Sequence, residues 1–279
     1  MESKRILITG ATDGIGKQTA YELAKLNHNV ILHGRDEQKC IDVTNEIKKK
    51  TNNHSLDYFV SDFSSKANVF QLASKIIDRF EFIDVLINNA GVYLKHRQIN
   101  DDGIELTFMV NYLAHFILTI KLIPLLKNSK QGRIINVSSI AHESARLELT
   151  DLNLAKNYSG YIAYANSKFL NILFTYALAR KLLSTNITVN ALHPGVITTK
   201  LLYEGFKITG SDVSVGAQTP IYLSISNDVE KVTGKYFEKN EVTRSSKKTY
   251  DINLQEKIWE VSCELAGWMP EEIEKIIMP

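Results

Sequence analysis

Cysteine, proline and net charge are all scarce in this chain of 279 residues. The two cysteines, Cys40 and Cys263, stand far apart and in no paired motif. That excludes a disulfide framework and the spacing of a zinc site, and it fits free thiols in a reducing compartment. His33, His115 and His142 follow no metal-ligand pattern either and read as packing or surface residues, so no metal is expected. Five prolines and the absence of a Pro/Gly-rich stretch leave no sign of a linker, and residues 1–279 read as one domain. A formal net charge of +2 excludes the broad basic field of a nucleic-acid binder. The small cluster Lys48, Lys49 and Lys50 falls near the end of a predicted helix, where cations suit the dipole. No apolar run is expected to span a bilayer, because candidates such as Phe116–Leu126 carry Thr119 and Lys121. The first predicted strand begins near Arg5 and leaves no room for a signal peptide. A cytoplasmic protein without a membrane span is the expectation.

What is present is an alternation of strands and helices. Apolar runs at Arg5–Gly10, Asn29–Leu32, Leu56–Val60, Asp84–Ile87, Arg133–Val137 and Thr188–Leu192 predict strands, with Lys235–Phe237 as a short seventh. Helical spacing covers Gly16–Leu26, a polar stretch to about Lys50, Val69–Phe80, Ile104–Leu126 and Gly160–Leu183. Strands apolar on both faces and separated by helices predict an α/β fold with a doubly wound parallel sheet covered on both sides.

The first strand runs directly into Thr9-Gly10-Ala11-Thr12-Asp13-Gly14-Ile15-Gly16, and a helix follows at once. Glycines here permit a tight turn and let backbone N–H groups approach a pyrophosphate, while the helix N-terminus favours its negative charge. A glycine triplet alone also fits a plain flexible loop; the strand before and helix after are the context that a dinucleotide site requires. The spacing Gly-x-x-x-Gly-x-Gly resembles the short-chain dehydrogenase/reductase family. The resemblance covers nearly the whole chain and is strongest over 5–16, 84–139 and 164–195. It implies a Rossmann fold, with Gly10, Thr12, Asp13, Gly14, Ile15 and Gly16 around the cofactor.

An acidic residue at the end of the second strand marks NAD sites, where it holds the ribose 2′-OH. Here the strand ends His33-Gly34-Arg35-Asp36. Arg35 can grip a 2′-phosphate through two hydrogen bonds, with Lys17 adding positive potential. That predicts NADP(H) over NAD(H); the other reading leaves Arg35 solvated and gives the ribose to Asp36. The family pattern further implies adenine contacts at Asp62 and Phe63, a cofactor floor at Asn89, Ala90 and Gly91, and nicotinamide contacts at Pro194, Gly195, Val196 and Thr198.

Tyr164 and Lys168 stand four apart, on one face of a predicted helix. A phenol is a poor base near neutrality, and a neighbouring ammonium would lower its pKa, so Tyr164 could exchange a proton with a substrate oxygen. Such pairs also arise by chance, and Tyr158 and Tyr161 nearby read equally as packing residues. The resemblance completes a catalytic tetrad. Ser139 orients the substrate oxygen, with Ser138 as the alternative. Lys168 also bonds the nicotinamide ribose, and Asn111 holds a relay water. His193 is read as structural.

Ser139 and Tyr164 lie 25 residues apart, and the extra segment around 145–158 resembles the retinol-dehydrogenase-like branch. So do Val110–Phe116, Asn171–Thr175 and Lys257–Ser262. The resemblance implies an alcohol dehydrogenase or carbonyl reductase acting on a lipophilic small molecule. Residues 200–218, with Leu201, Leu202, Tyr203, Phe206 and Ile208, read equally as a substrate lid or as a helix packed on the core. The family also implies a homodimer or homotetramer formed through the two long helices, although Phe169 and Phe174 there would serve a core just as well. Rival functions are a non-catalytic dinucleotide-binding sensor or scaffold and a C=C double-bond reductase. An epimerase is disfavoured by the 84 residues after Gly195, too few for a large second domain.

Overall fold

The computed structural model describes residues 2–278. Eight strands form one sheet: β1 (Arg5–Ile8), β2 (Asn29–Gly34), β3 (Leu56–Val60), β4 (Val85–Asn88), β5 (Gly132–Val137), β6 (Ile187–His193), β7 (Lys235–Glu238) and β8 (Glu241–Thr243). Their order is β3-β2-β1-β4-β5-β6-β7-β8. The first seven are parallel, and β8 returns antiparallel on β7. The expected α/β doubly wound sheet is therefore present, with eight strands where about seven were expected. The extra strand is a short, exposed hairpin partner of β7, and its three residues carry no apolar alternation to announce it.

The helices are α1 (Gly14–Lys25), α2 (Glu37–Thr51), α3 (Lys66–Arg79), α4 (Leu106–Phe108), α5 (Ala114–Lys127), α6 (Gly160–Lys181), α7 (Lys200–Phe206), α8 (Val213–Ile225), α9 (Ile252–Ala266) and α10 (Pro270–Ile277). Two apolar layers sandwich the sheet. Ala20, Leu23, Val43, Ile47 and Leu223 from α1, α2 and α8 pack on one face. Val69, Ile76, Phe116, Ile120, Leu170 and Phe174 from α3, α5 and α6 pack on the other. Connections that cross between parallel strands leave the strand ends after β1, β2, β4, β5 and β6 on one edge. The order reverses between β1 and β4, which is where open sheets of this kind bind ligands.

The expected long helix near 104–126 is interrupted. A π turn at Met109–Leu113 joins α4 to α5. Such single wide turns recur at functional sites; this one carries Asn111. The stretch Leu106–Lys127, helical across the π turn, is by length and composition apolar enough to cross a membrane, which corrects the expectation that no run reaches that length. Thr119 and Lys121 are too few polar breaks to lower its hydropathy. Its most apolar window is 83% buried, so the apolar surface faces the protein's own core.

The C-terminal helices explain where the apolar faces of α5 and α6 go. Trp259 of α9 meets Phe116 at 5.3 Å and stacks on Phe174 at 6.2 Å between ring centroids. Ile273 and Ile277 of α10 join the same cluster. The Tyr112 and Ser262 hydroxyls share a 2.7 Å hydrogen bond beneath α9. Phe169 and Phe174 thus serve the core. Helix α9 packs against α6, and α10 against α5.

Candidate active site

The turn after β1 is built by contact too close for side chains. Gly10 has φ +64° and lies against the end of β4, where a Cβ would stand 2.8 Å from Ala90 Cα. The Thr9 hydroxyl accepts the Asn89 and Ala90 N–H groups at 2.8 and 2.9 Å, and the Asn89 amide donates to the Thr9 carbonyl at 2.8 Å. Beneath this knot, the His115 ring bridges Thr9 Oγ1 and the Asn111 carbonyl, each at 3.1 Å. Burial holds His115 down to about 3 and His33 down to about 4, so both are neutral. His33 stacks on Phe63 at 4.3 Å. The Phe63 side chain is therefore a buried support of the floor, while Asp62 beside it is exposed.

The cofactor-side residues fall together. Asp13 caps α1, accepting the Gly14 N–H at 2.7 Å. Gly14 faces Thr199, which brings the segment after β6 beside the turn. Thr12 lies against Gly34, where a Cβ would meet Thr12 Cγ2 at 2.6 Å and Cys40 Sγ at 2.8 Å. An acid at position 34 would have to displace Thr12 or Cys40. Arg35 is exposed at the end of β2. Asp36 caps α2, accepting the Lys39 N–H at 2.9 Å. Lys17 is tied to Glu46 at 2.6 Å, so it adds less positive potential at the turn than expected. A cradle that added Cβ atoms would fill, set at a helix N-terminus and walled by Ala90, Gly91 and Thr199, fits a dinucleotide. The Thr198 side chain is occupied within the protein. It exchanges hydrogen bonds with the Gly210 backbone at 2.8 and 2.9 Å and pins the base of the loop carrying α7.

The four residues expected to form a tetrad also come together, with differences in detail. Tyr164 and Lys168 are buried on one face of α6. The Lys168 ammonium lies 5.5 Å from the centre of the Tyr164 ring and donates to the Val137 carbonyl at 3.0 Å. Burial, not the ammonium, dominates the phenol: it pushes Tyr164 up to about 12 and Lys168 down to about 8. This corrects the expected lowering, because a spacing rule carries no information on burial. The Ser139 hydroxyl pulls Tyr164 the other way, although its own hydrogen bond is accepted from the Ala141 N–H. Ser138 is committed elsewhere, donating to the Lys168 carbonyl at 2.7 Å, which favours Ser139 over Ser138. Asn111 exchanges hydrogen bonds with the Val92 backbone and donates to Ser167 Oγ at 3.1 Å. Its amide thus braces the chain beside Gly91.

Sequence reading missed Tyr93 as a site residue. It follows Gly91 by two positions at the same sheet edge, which was the available signal. Its ring lies 6.0 Å from Tyr164 and 4.9 Å from Phe206 of α7. Phe206 is also 5.9 Å from Tyr164 and 6.0 Å from Tyr161. An apolar roof therefore covers the phenol.

A family comparison matches this geometry: the short chain dehydrogenase model covers residues 4–207. The chain belongs to the short chain dehydrogenase family, and within it to the retinol-dehydrogenase-like branch. It is 36% identical to retinol dehydrogenase 13 of Homo sapiens over 99% of this chain and 88% of that one. It is 36% identical to polyprenol dehydrogenase of Homo sapiens, over 94% and 84% of the two chains. Among solved structures, a protein of Mycobacterium paratuberculosis superposes with a TM-score of 0.80 at 28% identity, over 95% and 94% of the chains. A short chain dehydrogenase of Escherichia coli CFT073 complexed with NADPH gives 0.72 at 26% identity, over 86% and 98%. The chain is accordingly an oxidoreductase of the short-chain type with a small-molecule substrate and a nicotinamide dinucleotide cofactor.

Proposed function

We propose that this oxidoreductase uses NADP(H) to interconvert a lipophilic alcohol and its aldehyde or ketone, with Tyr164 as the general acid and base. The observation that carries the reading is Tyr164 itself: a buried phenol beside Ser139, four residues before a buried lysine, under a roof of Tyr93, Tyr161 and Phe206. Bound in the cradle, the dinucleotide supplies or accepts the hydride. A phenol raised by burial stays protonated near neutrality, which suits donation of its proton to a carbonyl oxygen. Ser139 orients that oxygen, and Lys168 holds the cofactor ribose and supplies positive charge beneath the phenol. Segment 200–218 serves as the lid, excluding water from the reacting atoms. The names of the relatives, retinol and polyprenol dehydrogenases, agree with an apolar substrate.

Preference for NADP(H) rests on the β2 end. Gly34 stands against Thr12 and Cys40 where an NAD site carries its acid, Asp36 is occupied as a helix cap, and Arg35 remains exposed. The NADPH complex of the structural relative supports the same choice. Arg35→Ala should weaken NADPH by about tenfold or more, the scale of a lost charged hydrogen bond, and leave NADH nearly unchanged. Equal losses for both would contradict it. Tyr164→Phe should lower turnover by roughly 10²- to 10⁴-fold with NADPH affinity retained; a fully active variant would overturn the mechanism.

A further inference from the structure

His142 reads from the sequence as a packing or surface residue, yet both of its ring nitrogens are engaged at the active-site edge. It lies three residues past Ser139, on the short 3₁₀ helix Ile140–Ser144, and is 1% exposed. Its Nε2 accepts the backbone N–H of Ser246 at 3.0 Å. A backbone N–H can only donate, so Nε2 carries no proton and Nδ1 carries it. Nδ1 then donates to the Ser139 carbonyl at 2.7 Å. That carbonyl also accepts the His142 backbone N–H at 3.1 Å, so two donors fix it.

The far end of this strut is anchored. Ser245 shares 2.7 Å hydrogen bonds with Tyr176 of α6 and with Thr249. Gln255 of α9 donates to the Thr249 carbonyl at 2.6 Å. The Tyr236 ring of β7 packs on the imidazole at 5.1 Å. Ser246 lies in the part of the chain beyond the family match, which ends at 207.

We infer that His142 is a positioning residue for Ser139: it transmits the fixed geometry of the 245–250 loop to the serine beside Tyr164. The inference rests on the reading of Ser139 given above. An imidazole held at both nitrogens sets where the Ser139 backbone stands, and hence where its hydroxyl meets a substrate oxygen. Small misplacements of a catalytic group are costly, about 100-fold in rate for roughly 1 Å.

The test compares His142→Ala, His142→Asn and Ser139→Ala by kcat, KM, NADPH affinity and melting midpoint. An asparagine amide nitrogen branches from Cγ as Nδ1 does, so it can restore the bond to Ser139 but cannot reach Ser246. His142→Ala should lower kcat by roughly 10- to 100-fold with NADPH affinity nearly intact. His142→Asn should recover most of that kcat while its melting midpoint stays clearly below that of the wild type, because it still leaves the Ser246 N–H unpaired. Wild-type turnover in His142→Ala, or turnover that simply follows the melting midpoint in both variants, would overturn the inference. Ser139→Ala separates the two levels. If it loses turnover while His142→Ala does not, only this inference fails; if it keeps full turnover, the reading of Ser139 fails and takes this inference with it.

Discussion

The turn after β1 and the loop carrying α7 sit on the same edge of the sheet and are built in opposite ways. The turn is a knot of backbone, glycine and the Thr9 hydroxyl, with hydrogen bonds of 2.8–2.9 Å and no room for an added carbon beside Ala90. Helix α7 has no buried residue. It is held by rings, Phe206 on Tyr93 and Tyr164, and pinned at its base by Thr198. On the proposed reading, one region recognises a constant ligand, the dinucleotide, through the shape of its backbone. The other meets its ligand through side chains that substitution can change without disturbing the sheet. On this account, the fold fixes dinucleotide binding, Arg35 the preference for a 2′-phosphate, and a few half-buried rings the choice of substrate.

The sharpest break of that contrast is Gly10→Ala. The new Cβ would press on Ala90 at a φ that disfavours side chains, so NADPH affinity should fall by on the order of 10- to 100-fold, with a stability loss of about 1–3 kcal/mol. An NADPH titration beside a melting curve checks this; unchanged affinity would mean that the turn is more yielding than its contacts suggest.

Acid should loosen the same side. His33 and His115 fold with pKa values near 4 and 3, below the ordinary 6.5, and both are buried among the turn's supports. The unfolded chain binds more protons than the folded one across that window. Stability is therefore complete above about 6.5 and falls as pH drops toward 4, by up to about 1.4 kcal/mol per unit for each histidine. The melting midpoint should fall steadily as pH drops from about 6.5 toward about 4, and a flat profile would contradict the buried neutral pair.

The smallest effect is expected on the substrate edge. Phe206→Ala should raise KM for apolar carbonyl compounds by several-fold to about tenfold, the scale of one lost apolar contact surface, while NADPH affinity and the melting midpoint hardly move. A fall in NADPH affinity equal to the rise in KM would erase the distinction between the two regions.

The same contrast governs what could be read in the sequence. The strands, the glycine turn, Arg35 and the Tyr164–Lys168 pair are local patterns, and the structure sets them on one sheet edge. At the β2 end, the position where an NAD site carries its acid is held by a glycine that the sequence shows directly, Gly34. Features that depend on what packs on what were not legible. The stretch Lys257–Ser262 stood out only as a likeness to the retinol-dehydrogenase-like branch, and only the fold shows that Trp259 of α9 packs on Phe174 of α6. The π turn leaves the apolar pattern of 104–127 intact, so periodicity cannot reveal it. The phenol pKa followed burial where spacing had suggested the ammonium. Tyr93, His115 and His142 gained their parts from partners 71, 106 and 104 residues away in the chain, namely Tyr164, Thr9 and Ser246.

The most direct test of the central claim is to follow the absorbance of NADPH and of NADH with the purified protein and a panel of carbonyl compounds, including retinal, medium-chain aldehydes and a steroid ketone. The account predicts oxidation of NADPH, faster than of NADH, by the apolar members of that panel. Tight NADPH binding with no turnover on any member, or turnover confined to small polar carbonyls, would contradict it.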